Sequence, residues 1–121
     1  MKKVIATPDA PKAVGPYSQA IEVNGTLYVS GQIPVNPADG SVPEDIVEQA
    51  HQSLKNIGAI LKEAGMTYSN VVKTTVLLDD IANFKAVNEV YAEYFTEDKP
   101  ARACYQVAAL PLGVKLEIEA I

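Results

Sequence analysis

The sequence predicts an α+β fold in which two helices cover one face of a mixed sheet of about six strands. Three observations lead to this prediction. The Asn24-Gly25 pair joins two runs of alternating hydrophobicity, which is typical of a tight β-hairpin. Residues 47–64 and 84–95 carry apolar side chains at helical spacing. The β-branched run 70–78 and short alternating runs near both ends of the chain are typical of strands.

The Asn24-Gly25 turn fixes the register of the hairpin, because both central positions of a type I′ turn need a positive φ. This register places Gln19 opposite Ser30, and Tyr17 lies two residues further along the same face. We therefore expect one polar and aromatic face, which consists of Tyr17, Gln19, Tyr28 and Ser30.

Each predicted helix has its own start and stop signals. Ser41 followed by Glu44 is typical of a capping box, and Gly65 closes the first helix. The apolar stripe of this helix consists of Val47, Ala50, Leu54, Ile57, Leu61 and Ala64. Asp80 caps the second helix, and residues 98–100 end it. Its stripe consists of Phe84, Val87, Asn88, Tyr91 and Phe95.

The C-terminal stretch, residues 100–121, contains the charged groups best placed for chemistry. Arg102 is the only arginine in the chain, and it shares one face of an extended segment with Cys104. After a turn rich in proline and glycine, the KLEIEAI segment alternates strictly. Glu117 and Glu119 therefore lie on one side of a last strand, with leucine and isoleucine on the other.

Composition and charge narrow the classes of function. The chain is 48% apolar and 21% charged, and residues 1–121 are expected to form a single globular domain. The formal net charge is −5 and the basic residues are scattered, which disfavours nucleic-acid binding and a nuclease activity. The N-terminal segment lacks the apolar core of a signal peptide, and there is one cysteine. Both features predict a cytoplasmic protein that is not bound to a membrane.

Two helices can cover only one face of the sheet, so the other face must meet water or another subunit. Four residues predicted on that face are too apolar for bare solvent, namely Tyr28, Val71, Leu77 and Cys104. We therefore expect a homo-oligomer.

Several motifs resemble the Rid (YjgF) family of reactive-intermediate deaminases. They are the PAR sequence with a cysteine two residues after the arginine, the LP turn and the closing EIEAI, together with AVGPYSQA, YVSGQIPVNP and VVKTTVLL. Many members carry serine and a Val-Glu pair where this chain has Ala103, Tyr105 and Gln106. The resemblance covers nearly the whole chain. It implies a homotrimer of chorismate-mutase-like subunits, with a site in the cleft between neighbours.

Arg102 and Glu117 are the candidate catalytic residues. An arginine fork can hold a carboxylate through two parallel hydrogen bonds, and a glutamate can position water or transfer protons. The residues alone leave an alternative open, in which Arg102 forms a structural salt bridge with Glu117 or Glu119. The resemblance favours the functional interpretation of Arg102 and Glu117, and Glu119 is interpreted as structural.

The candidate substrate-binding residues are Arg102 together with Tyr17, Ser30, Gly31, Asn88 and Cys104. The missing side chain of Gly31 would let a ligand approach its backbone N–H. A nucleophilic Cys104 would need a neighbouring base, and His51, the only histidine, lies in the middle of a helix. The thiol is therefore interpreted as a small buried filler, and the resemblance implies that the backbone carbonyl of Cys104 lines the cleft.

These features predict a hydrolytic deaminase that converts reactive 2-imino and 2-enamino acids to 2-keto acids and ammonia. The expected substrates are 2-aminoacrylate, 2-iminopropanoate and 2-iminobutanoate. One alternative is a non-catalytic metabolite-sensing or protein-binding module, which would use the same cleft without needing Glu117. A chorismate-mutase-like isomerase would have two carboxylates to hold, and one arginine disfavours it. Neither a metal site nor a cofactor is expected, because the ligand spacings and phosphate-binding motifs are missing.

Overall fold

The computed structural model describes residues 1–121, which form six strands and two α-helices. The elements are β1 (Lys3–Ile5), β2 (Ala20–Val23), β3 (Thr26–Gln32), α1 (Ile46–Glu63), β4 (Lys73–Leu78), α2 (Phe84–Tyr94), β5 (Ala101–Gln106) and β6 (Leu116–Ala120). The strands form one sheet in the order β1-β2-β3-β6-β4-β5. Strands β4 and β5 are parallel, and all other neighbouring pairs are antiparallel. The predicted α+β class and mixed six-stranded sheet are confirmed.

The β2–β3 hairpin has the predicted register. Val23 pairs with Thr26 across a turn in which Asn24 and Gly25 have φ angles of 51° and 78°. Two consecutive positive φ angles are what a type I′ turn requires. The backbone N–H of Ser30 donates to the carbonyl of Gln19 at 2.9 Å, so the register continues beyond the last regular pair.

Gln19 does not join the predicted polar face. Its side chain is 6% exposed, and its amide group forms hydrogen bonds with the backbone of Thr7, Ala10 and Pro11. Regular strand pairing begins one residue after Gln19, so Tyr17 lies in the preceding loop. Gln19 therefore fixes the N-terminal loop to the sheet, a contact that alternation along a strand does not reveal.

Helix α1 begins later than predicted, with Asp45 as its N-cap. The Asp45 carboxylate accepts hydrogen bonds from two backbone N–H groups of the first turn. The predicted capping box at Ser41 and Glu44 is wrong. Pro43 explains this, because the residue before a proline, here Val42, disfavours helical backbone angles.

The apolar stripe of α1 is confirmed, and its central members, Ala50, Leu54, Ile57 and Leu61, are at most 3% exposed. Gly65 follows the helix with a φ of 75°, as a C-terminal glycine should. The stripe packs on β3 and β6. Neither helix has the length and apolar character that a membrane span requires.

The second helix is preceded by a one-turn 3₁₀ helix, residues 81–83, which Asp80 caps. This turn runs directly into α2. Helix α2 packs against α1, and it reaches the sheet through a buried hydrogen bond of 2.7 Å between the hydroxyl groups of Tyr91 and Thr74. Strand β4 begins at Lys73 rather than at the predicted residue 70, because a 3₁₀ turn occupies residues 68–70.

Both helices lie on one face of the sheet and leave the other face uncovered. Tyr28 and Leu77 lie on the uncovered face as predicted, since their strand neighbours are buried towards the helices. The prediction is wrong for Val71, which precedes β4 and is buried in the core at 4% exposure. It is also wrong for Cys104, which pairs with the buried Val76 and therefore points to the helix side.

Candidate functional site

Glu117 lies in the middle of β6 on the uncovered face of the sheet. Leu116 and Ile118 on either side of it are 0% exposed and point into the core, so alternation turns Glu117 to the opposite face. Burial raises the pKa of the half-buried Glu117, and the negative charge of Glu119 raises this pKa further. A carboxyl group with a raised pKa is suited to taking up and releasing protons closer to neutral pH.

A β-bulge brings Gly31 against the side chain of Glu117. The pairing between β3 and β6 shifts by one residue between Val29 and Gln32, a span that contains Gly31. A Cβ atom at Gly31 would lie 2.7 Å from Cδ of Glu117 and 3.0 Å from its Cγ. Only glycine leaves this space free, and bulges of this kind are common beside active sites.

Ser30 and Tyr17 are two other predicted site residues, and both lie close to Gly31. Ser30 precedes Gly31, and its hydroxyl donates to the carbonyl of Ser18 at 2.6 Å. The hydroxyl proton of Ser30 is therefore committed, while its oxygen can still accept a hydrogen bond. The Tyr17 side chain is 51% exposed and lines, together with Gly31, a cavity of about 250 Å³.

Arg102 lies on the edge strand β5 and faces helix α2. The parallel register sets it opposite Thr74, which is buried beneath that helix. The guanidinium Nη1 donates to Oδ1 of Asn88 at 2.7 Å. The only ion pair within 4.0 Å in the chain joins His51 and Glu93, so Arg102 has no carboxylate partner. Within one chain, Arg102 forms no salt bridge with Glu117 or Glu119, and its remaining N–H groups can bind an anion.

A groove of about 440 Å³ lies next to the guanidinium group. It is lined by Asn88, Tyr91, Ala92, Lys99, Pro100 and Arg102. Two of these side chains are cationic and none is a carboxylate. A groove with this charge attracts anions, including the carboxylate of a small metabolite.

Cys104 follows Arg102 on the same face of β5 but lies further inside. Its side chain packs against the hydrophobic core. Burial raises the pKa of the Cys104 thiol, although the positive charge of Arg102 acts in the opposite direction. The imidazole of His51 is hydrogen-bonded through Nδ1 to the Tyr94 hydroxyl at 2.7 Å, between the two helices. These contacts support the interpretation of the thiol as a filler, because no base is placed to generate a thiolate.

The sheet separates the predicted site residues into two groups. Glu117, Gly31 and Ser30 lie on the uncovered face, whereas Arg102 and Asn88 lie on the helix side. Strand β4 also lies between β5 and β6, and neighbouring strands are about 4.8 Å apart. A small molecule cannot contact both groups within one chain. A site that uses Arg102 and Glu117 together therefore needs one residue from each of two chains.

Two aromatic residues at the guanidinium group were missed by sequence reasoning. Cζ of Arg102 lies 4.9 Å from the ring centroid of Tyr91 and 5.5 Å from that of Phe84. The sequence predicted both only as members of an apolar stripe. A signal was nevertheless present, because Asn88 lies between them at helical spacing, so a polar group and two rings share one face of α2.

Comparisons with known proteins find relatives over nearly the whole chain. A family model described as Endoribonuclease L-PSP matches residues 7–121. A mouse protein named 2-iminobutanoate/2-iminopropanoate deaminase is 57% identical, and the alignment covers 100% of this chain and 90% of that protein.

Solved structures also have the same fold. A Yersinia pestis protein of unknown function from the conserved Rid protein family superposes with a TM-score of 0.97 at 52% identity, with 99% of this chain and 97% of that chain covered. Escherichia coli TdcF, crystallised with bound serine, superposes with a TM-score of 0.93 at 45% identity, with 98% and 95% covered.

Proposed function

The chain belongs to the Rid (YjgF) family, and from this premise we propose that it hydrolyses reactive 2-imino and 2-enamino acids to 2-keto acids and ammonia. The observation that carries the proposal is an arginine that no carboxylate of its own chain neutralises, beside a cationic groove. The name of the mouse relative supports 2-iminobutanoate and 2-iminopropanoate as substrates, and 2-aminoacrylate belongs to the same chemical class. The serine bound to TdcF supports a small carboxylate ligand for this fold.

The active site forms between neighbouring subunits of a homotrimer. Opposite placement of Arg102 and Glu117 on the sheet supports a site shared by two chains. Tyr28 and Tyr105, which are 47% and 51% exposed on the uncovered face, support its burial against another subunit. The threefold symmetry and the chorismate-mutase-like arrangement rest on the family resemblance.

The binding residues divide between the two subunits. The guanidinium of Arg102 holds the substrate carboxylate by two parallel hydrogen bonds, while Asn88 fixes the guanidinium from behind. On the other subunit, the backbone of Gly31 and the oxygen of Ser30 face the substrate. Tyr17 encloses it, and the backbone carbonyl of Cys104, on the subunit that supplies Arg102, helps to hold the water.

Glu117 carries out the proton transfers. It accepts a proton from the water molecule that attacks C2 and passes this proton to the imine nitrogen, which gives the carbinolamine. Glu117 then moves the hydroxyl proton of the carbinolamine to the amino group, so that the C–N bond breaks, ammonia leaves and the keto acid remains. With an enamine, protonated Glu117 first donates to C3 and produces the imine. Acid–base catalysis supplies about 10² to 10⁴-fold, and the positioning of the substrate by Arg102 adds to this.

The nuclease in the description of the family model does not fit the charge of this chain. The formal net charge is −5 and the basic residues are scattered along the sequence, which disfavours the binding of a phosphate backbone. The cytoplasmic location expected from the sequence stays a prediction.

An assay with imine generated in solution tests the proposed function. A pyridoxal-phosphate-dependent dehydratase releases 2-iminobutanoate from threonine, and the remaining imine is trapped with semicarbazide. Native protein should accelerate the decay of the imine, and Arg102→Ala should lose this effect, since a truncated charge partner costs about 2–5 kcal/mol of binding. A native protein that binds 2-oxobutanoate without accelerating hydrolysis would support the non-catalytic module instead.

A further inference from the structure

The guanidinium of Arg102 rests on an aromatic ring that has no role in the proposed chemistry. The ring of Tyr91 lies under Cζ at 4.9 Å, whereas Phe84 is further away at 5.5 Å and is itself 39% exposed. The one hydrogen bond that Arg102 forms, to Asn88, constrains a single nitrogen. A single hydrogen bond leaves a guanidinium free to turn about that bond. The contact with the Tyr91 ring restricts the plane of the Arg102 guanidinium.

The Tyr91 side chain is held by a hydrogen bond to the sheet and by packing against a second ring. Its side chain is 6% exposed, and its hydroxyl is hydrogen-bonded at 2.7 Å to Oγ1 of Thr74, which is 1% exposed. Its ring also packs against Phe95, with the centroids 4.5 Å apart. Thr74 is the residue opposite Arg102 in the parallel β4–β5 pairing. A chain of contacts therefore runs from Thr74 through Tyr91 back to Arg102.

This arrangement holds a cation without neutralising it. An aromatic face attracts a guanidinium through its quadrupole, so it orients the group yet leaves the full positive charge for a ligand. A carboxylate in the same place would orient Arg102 equally well but would compete with the substrate. Burial raises the pKa of Tyr91, although the Thr74 hydrogen bond and the Arg102 charge both act to lower it, so the phenol stays neutral at physiological pH.

We propose that Tyr91, locked by its hydrogen bond to Thr74, is a positioning residue that sets the plane of the Arg102 guanidinium for two-point binding of the substrate carboxylate. The inference rests on the proposed function, because it deepens the role given there to Arg102. Tyr91 lines the groove beside Arg102 and has no part in the proton transfers. Its loss therefore affects substrate binding more than the chemical step.

Kinetics of three variants test the inference. Tyr91→Leu removes the ring, Tyr91→Phe keeps it, and Thr74→Val removes only the hydrogen bond that locks it. We expect Tyr91→Leu to raise KM for 2-iminobutanoate about tenfold, which corresponds to about 1.4 kcal/mol, while kcat changes less than about threefold. Tyr91→Phe keeps the ring but loses the same hydrogen bond as Thr74→Val, so each of these two variants should raise KM only about threefold. An unchanged KM in folded Tyr91→Leu, or equal effects of leucine and phenylalanine, would overturn the proposal.

A spectroscopic readout works even where a variant is too weak for kinetics. Arg102 is the only arginine, so the side-chain ¹H–¹⁵N signal of the chain's arginine reports on this group alone. We expect Thr74→Val and Tyr91→Leu to shift that signal and to weaken its response to 2-oxobutanoate. A native-like signal in both variants would refute the inference, even if the imine assay succeeds. Failure of native protein in the imine assay would refute the proposed function, while this signal would still show whether Tyr91 orients Arg102.

Discussion

Replacing Gly31 with alanine tests the close approach between the bulge in β3 and Glu117. The added Cβ would lie 2.7 Å from Cδ of Glu117 and 3.0 Å from Oε1, whereas non-bonded carbons prefer about 3.5–4.0 Å. The carboxyl group must therefore move by about 1 Å. A displacement of this size can cost about 10²-fold in rate, so kcat/KM for 2-iminobutanoate should fall by that factor, or about 2.7 kcal/mol. Thermal stability should change little, because φ at Gly31 is not positive and the half-buried side chain can adjust.

Gly15→Ala is the matched control for this experiment. It adds the same methyl group, but the nearest atoms, on the Tyr17 ring, would be 3.6 Å away, which is an ordinary contact. This control should keep native activity in the semicarbazide assay. If Gly31→Ala folds normally and retains native kcat/KM, the position of Glu117 against the bulge is not needed for the reaction, and the reasoning is refuted.

Three further substitutions test separate parts of the account. Arg102→Lys keeps the charge but loses the fork, so steady-state KM should rise about 10- to 100-fold, and an unchanged KM would exclude two-point binding. Glu117→Gln should lower kcat by about 10² or more. The melting temperature of Glu117→Gln at pH 7 should not fall. Because the pKa of Glu117 is raised in the folded protein, its ionisation costs stability as pH rises above about 4.5, and glutamine removes this cost. A clear drop in melting temperature would contradict the raised pKa. Alanine favours helices over glycine, yet Gly58→Ala should lower the free energy of unfolding in urea by about 1–3 kcal/mol. The added Cβ would overlap the Tyr68 hydroxyl, which donates a hydrogen bond to the Leu54 carbonyl. A more stable Gly58→Ala protein would show that this contact is unimportant.

Local signals predicted much of the fold because their physical causes are local. The Asn24-Gly25 turn needs only its own backbone angles, and the stripe of α1 needs only the helical period. The first residue of α1 was harder to predict, because Ser41 and Asp45 are both residue types that cap helices. Asp45 is the actual cap, because Pro43 disfavours a helical start at Ser41.

The faces of the sheet could not be predicted from alternation. Alternation correctly grouped Arg102 with Cys104 in β5, and Glu117 with Glu119 in β6. It does not say which of these faces meets the helices, because that depends on the strand order, in which β6 enters between β3 and β4. For the same reason Cys104 was expected on the uncovered face. The opposite placement of Arg102 and Glu117 emerged only from the complete topology.

Long-range side-chain contacts could also not be predicted from the sequence. Gln19 was expected on a polar face, but its partners are backbone groups of an irregular loop that has no periodicity. Tyr91 was predicted correctly as buried, yet its contact with Arg102 depends on how α2 lies across β4 and β5. The catalytic and binding roles of the site residues stay predictions.

Each proposed active site takes Arg102 from one subunit and Glu117 from its neighbour, and subunit mixing tests this arrangement most directly. Equal amounts of Arg102→Ala and Glu117→Gln protein, each inactive alone, are unfolded together and refolded into mixed oligomers. Random assembly of trimers should restore about a quarter of the sites to the native pair, and imine hydrolysis should return to about a quarter of the native rate. Hydrolysis that stays at the level of the separate variants, although mass spectrometry shows mixed oligomers, would place both residues in one chain and contradict the account.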